Sequence, residues 1–248
     1  MNNLKSIKII AILACIYSIN ISLLEAQSVN PPPIQDEIIA NPGDKVETLD
    51  LSYVYGGDFT HGESYSETEI VEKLMSYPNL VELNLSGQSL TPALMDSIHD
   101  HATKLKRLII KGSVKFVSGD GMSNSWESLN QQVITPEMLQ ALLSDGSLIE
   151  VLDLSLSTIN DAGLESISQG AHHLRQLYLM GDNDVTEKGI TSLIEKLPNL
   201  ELIDLSKYTL RQPQNSQESF VPKISEELIK KLSDRGIVVI QNERTPWF

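Results

Sequence analysis

A six-residue pattern, apolar-x-x-apolar-x-apolar, returns six times along this chain, which confines it to stacked, self-similar units. The copies are Val46/Leu49/Leu51, Leu80/Leu83/Leu85, Leu105/Leu108/Ile110, Ile149/Leu152/Leu154, Leu174/Leu177/Leu179 and Leu200/Ile203/Leu205. Their first positions are spaced by 34, 25, 44, 25 and 26 residues, so the base period is 25–26 with insertions. Each copy ends in strict alternation, the period of a short strand. A small polar residue then precedes an amphipathic run: Ser66, Thr91, Thr135, Asn160, Thr186 and Ser225. Such residues cap the free N–H groups of a helix start. Pro92 and Pro136 follow two of them, at the first helical position, where proline is tolerated. Ile190, Leu193, Ile194 and Leu197 are the cleanest helical stripe. Each unit therefore reads strand–loop–helix, and no unit can bury its apolar stripe without a neighbour.

The stretch Leu152-Asp153-Leu154-Ser155 through Ile159-Asn160-Asp161-Ala162-Gly163-Leu164 resembles the leucine-rich repeats of ribonuclease-inhibitor-like and F-box-associated proteins. The resemblance covers about residues 46–240. It implies an α/β solenoid, a horseshoe with a parallel sheet on the concave side and helices on the convex side. In such repeats an Asn or Cys often follows the strand and bonds the turn backbone. Gln88 and Ser157 stand there in the second and fourth units, which implies a less regular backbone ladder at the turns. The segment Ile237-Val238-Val239-Ile240 reads as a closing strand, and residues 241–248 as a tail.

The chain's beginning reads as an address. Lys5 and Lys8 precede an apolar stretch over residues 9–24, with small Ala26 and Ser28 after it. That is the layout of a secretory signal peptide over 1–28, too short and too polar for a membrane span. A lipidated Cys15 and an uncleaved anchor are the competing readings. Residues 29–45, with Pro31-Pro32-Pro33 and Asn41-Pro42-Gly43, read as a stiff linker. Cys15 is the single cysteine, so signal removal would leave no thiol for disulfides or Cys-ligated metal.

Charge narrows the partners. Nineteen basic residues against 33 acidic ones give a net charge of -14. Such a chain repels nucleic-acid phosphates and anionic lipid headgroups. No G-x-S-x-G, H-E-x-x-H or phosphate-cradling glycine loop occurs, so no enzyme chemistry is expected. His99, His101, His172 and His173 read as solvated, and Asp182-Asn183-Asp184 lacks the glycine and the closing acid of a calcium loop. No cofactor or metal is expected.

Two surfaces are left as binding candidates. The middle residues of the leucine–x–leucine steps should face the concave side: Asp50, Asn84, Ile109, Asp153, Tyr178 and Asp204. Arg107, Val151, Met180 and Leu202 flank them, so Ile109, Val151, Tyr178, Met180 and Leu202 should form an apolar patch. The insertions at 52–65, 111–134 and 206–224 should project from one rim, and they hold 8 of the 12 aromatics that follow residue 28. Phe59, Phe116, Trp126 and Phe220 are the candidate anchors, because binding hot spots favour rings; the same rings could instead pin the loops down. The expectation is a secreted or periplasmic protein that binds a protein partner. An intracellular adaptor of ubiquitin-ligase type is the second possibility. A glycan or cell-wall ligand, stacked on loop rings, is the third.

Overall fold

The computed structural model describes residues 46–53, 62–118, 125–182, 184–211 and 217–244. The expected signal and linker, residues 1–45, lie outside them. In chain order the first elements are β1 (Thr48–Asp50), α1 (Glu67–Ser76), β2 (Glu82–Asn84), α2 (Pro92–His101), β3 (Arg107–Ile109), β4 (Ser113–Ser118) and β5 (Ser125–Asn130). Next come α3 (Pro136–Leu142), β6 (Val151–Asp153), α4 (Asp161–Gly170), β7 (Gln176–Tyr178), α5 (Glu187–Lys196) and β8 (Leu202–Asp204). The last are β9 (Lys207–Arg211), β10 (Gln217–Phe220), α6 (Glu226–Asp234), β11 (Val238–Ile240) and β12 (Glu243–Arg244).

The fold is α/β. Seven strands form one parallel sheet in the order β1-β2-β3-β6-β7-β8-β11, and helices alternate with them along the chain. Each expected strand takes its place, and β11 pairs with β8 as the closing strand. The middle residues Leu83, Leu108, Leu152, Leu177 and Ile203 are fully buried and join one core with the helix residues Ile70, Leu94, Leu139, Leu164, Ile190 and Leu228. Burial of one such side chain stabilises by about 1.5–3 kcal/mol, which explains why the leucine pattern outlasts the insertions.

The ladder past the strands is regular, contrary to the irregularity expected from Gln88 and Ser157. At every junction the same two bonds extend the pairing, from Leu51 N to Asn84 O (2.8 Å) and Tyr53 N to Ser86 O (2.7 Å) through to Leu205 N to Ile240 O and Lys207 N to Asn242 O (both 2.9 Å). Buried Gln88 supplies what the shorter Asn would: its Nε2 donates to Leu51 O and Glu63 O, and its Oε1 accepts from Tyr65 N. Gln132, one unit on, donates to Gln88 O at 3.1 Å.

All six expected capping residues stand at helix N-caps. Five accept a backbone N–H from their own helix. Thr186 instead donates its hydroxyl to Asp161 Oδ2 (2.6 Å) while its N–H donates to Asp161 Oδ1 (2.9 Å). The same clasp recurs from Thr91 to Glu67 (2.5 Å) and from the Ser225 N–H to Glu187 (2.6 Å). In each, an acid at the first position of one helix holds the cap of the next.

Two insertions are folded where loops were expected. β4–β5 and β9–β10 are antiparallel hairpins, and β5 lies against β9. The expected tail begins with structure: β12 pairs in parallel with β9. The alternating polar and apolar residues of Ser113-Val114-Lys115-Phe116 and Lys207-Tyr208-Thr209-Leu210 carry this strand signal.

Candidate binding surface

Strand alternation puts two rows of side chains on the sheet face turned away from the helices. The register aligns Asp50, Asn84, Ile109, Asp153, Tyr178 and Asp204 in one row, as the leucine spacing implies. The other row holds Thr48, Glu82, Arg107, Val151, Gln176 and Leu202. Three neighbouring strands, β3, β6 and β7, bring Arg107, Ile109, Asp153 and Tyr178 together, all half-buried. Arg107 Nε stands 3.3 Å from Glu82 Oε2, and the Tyr178 hydroxyl donates to Gln176 Oε1 at 3.0 Å.

The apolar patch is smaller than expected. Val151 and Leu202 are each only 8% exposed, so they offer little contact area. The register explains this: Val151 stands between Arg107 and Gln176, and Leu202 between Gln176 and Val238. Side chains on strands about 4.8 Å apart cover one another.

The acids of this face have a task in the fold. Asp153 Oδ1 accepts Ser155 N and Asp204 Oδ1 accepts Ser206 N, both at 2.9 Å. Asp50 and Asn84 do the same for Ser52 and Ser86. Each is an Asx turn that holds the chain as it leaves a strand. The triplet Asp/Asn-Leu-Ser at 50–52, 84–86, 153–155 and 204–206 is the sequence signal of this turn. Asp204 is 2% exposed, which leaves its carboxylate to the fold.

The rim rings divide. Met180 and Phe220 pack against Leu156 and Tyr208 in a second small core under the β9–β10 hairpin. They pin that hairpin to the turn after β7. Gly181, at φ 77°, lets the turn pass beneath: a Cβ there would lie 2.7 Å from Leu156 Cδ2. Leu156 itself has φ 59°, a left-handed conformation that a side chain adopts at a cost. Phe116 lies on β4 and Trp126 on β5. Phe59 is outside the described residues.

Asp182 follows this turn. It is fully buried, and its Oδ1 accepts both the N–H (2.8 Å) and the hydroxyl (3.3 Å) of Ser157. Among the described residues nothing bonds its Oδ2. Burial raises its pKa well above the carboxylate range, with Asp153 and Asp184 adding repulsion and the Ser157 bonds opposing. The folded pKa is above the unfolded one, so the stability contribution is complete below the unfolded pKa and is lost as pH rises through the folded pKa. Denaturation midpoints measured from about pH 4 to about pH 8 should therefore fall more with rising pH in the wild type than in Asp182→Asn. Parallel profiles would remove Asp182 as the cause.

His99 is less exposed than expected. It is half-buried, with Nδ1 3.3 Å from Leu142 O, whereas His172 and His173 are exposed. Among the described residues no three His, Cys, Asp or Glu side chains converge as metal ligands. Among them, too, no helix is long and apolar enough to cross a membrane. No protein-family model matches the chain, and no curated protein matches it significantly.

Proposed function

We propose that this chain is a secreted or periplasmic leucine-rich repeat protein without enzymatic activity, and that it binds a protein partner. The sheet's concave face and the hairpin rim make the contact. The observation that carries the reading is the half-exposed group Arg107, Ile109, Asp153 and Tyr178 on adjacent strands. It joins a cation, a branched apolar side chain, an acid and a ring, a mixture suited to protein contact. The solenoid assignment rests on the six repeats and on strands that add to one sheet in chain order. Export rests on the basic start, apolar stretch and small residues of 1–28.

The test has two arms. The mature N-terminus, sequenced from the envelope or medium, should start at Gln27 or Val29; a cytosolic chain that still begins at Met1 would end the exported reading. The purified chain, immobilised, should retain a protein from that compartment. Ile109→Asp with Tyr178→Ala should cut retention roughly tenfold at an unchanged melting temperature. Equal retention by the variant would remove this face from the account.

A further inference from the structure

The third helix stops early, and a cavity opens where it stops. α3 has seven residues, whereas α1, α2, α4 and α5 each have ten. The chain continues through Ser144-Asp145-Gly146-Ser147, all turn formers, with Gly146 at φ 99°. On one side this end presses on α4: a Cβ on Gly170 would lie 2.1 Å from Leu143 O. On the other side, toward α2, a cavity of about 180 Å³ is left.

Its floor is Ile98, Leu105, Leu142 and Ile149, each no more than 3% exposed. His99 forms a wall. Leu142 O can only accept, so His99 Nδ1 carries the proton of that bond, which leaves Nε2 an acceptor while the ring is neutral. Asp145 stands exposed at the rim, and among the described residues no Lys or Arg lines the cavity. An apolar cavity of about 150 Å³ takes up a benzene ring, so this one has room for a single ring or a branched alkyl group. We propose that the cavity binds small organic amines. The apolar body lies on the floor and the ammonium group meets Asp145, favoured by the chain's net charge of -14. This site is separate from the sheet face and does not rest on its function.

Phenethylamine, with phenethyl alcohol as its neutral counterpart, tests this in an amide NMR titration of the full chain. The amine should shift residues 98–105 and 142–150, saturating with a Kd of about a millimolar. Asp145→Asn should weaken the amine roughly two- to fivefold and leave the alcohol unchanged. Thr103→Trp, an exposed cavity-lining position, should block both while the remaining spectrum keeps its dispersion. Unsaturable shifts spread over the acidic surface would overturn the proposal. An Asp145→Asn variant that affects both ligands alike, or neither, would also overturn it.

Discussion

Replacing Leu177 by Ala should lower the free energy of unfolding by about 2–5 kcal/mol, measured by urea titration. Leu177 is the middle residue of β7, fully buried, with Leu152 and Ile203 beside it in register. Truncation there removes burial and leaves a cavity that two paired strands hold open. The adjacent Gln176→Ala changes the other face of the same strand and removes the acceptor of the Tyr178 hydroxyl, so its cost should be about 0.5–1.5 kcal/mol. Equal losses for the two would mean that the alternation does not separate core from surface.

Gly170→Ala is the second large effect. Alanine favours a helix over glycine by about 1 kcal/mol, so an unhindered site would gain stability. At Gly170 the new Cβ would meet the Leu143 carbonyl oxygen at 2.1 Å and the Leu143 Cβ at 2.8 Å. The oxygen belongs to the backbone and cannot swing aside, so a net loss of about 1–3 kcal/mol is expected. Gly146→Ala, with nothing within 4 Å, would lose stability through its positive φ alone, a cause absent at helical Gly170, where the loss must come from the close approach. A stabilised Gly170→Ala would show that α4 and the end of α3 do not approach so closely.

The frame was readable because one property recurs in it. Leu83, Leu108, Leu152, Leu177 and Ile203 must all be buried, and a base period of 25–26 residues, stretched by insertions, repeats that demand. The six caps were readable because small polar residues recur before each helix, and in five of them the side chain meets the same unpaired N–H groups. What repeats only in part was hidden. The hairpins occur in two units, and their alternation is short and mixed. Exposure on the free face is not legible in the sequence because it depends on the neighbours in a row: Val151 and Leu202 are buried where Ile109 is half-exposed. The acids were ambiguous for a chemical reason. A carboxylate that only holds its own backbone and one that also faces a partner look alike until distances and burial are known: Asp204 is of the first kind, and half-exposed Asp153 of the second. The cavity had a partial sign in Ser144-Asp145-Gly146-Ser147, which breaks a helix one turn early.

Proline at the helix starts has a price beyond its local geometry. The clasps that join Glu67 to Thr91, Asp161 to Thr186 and Glu187 to Ser225 each need an acid at the first helical position. Pro92 and Pro136 hold that position in α2 and α3, so those two seams have no clasp of this kind. The array is thus buttoned toward both ends and unbuttoned in the middle. Local opening follows the least restrained element, and here that is α3, with a seam on each side that lacks its fastening.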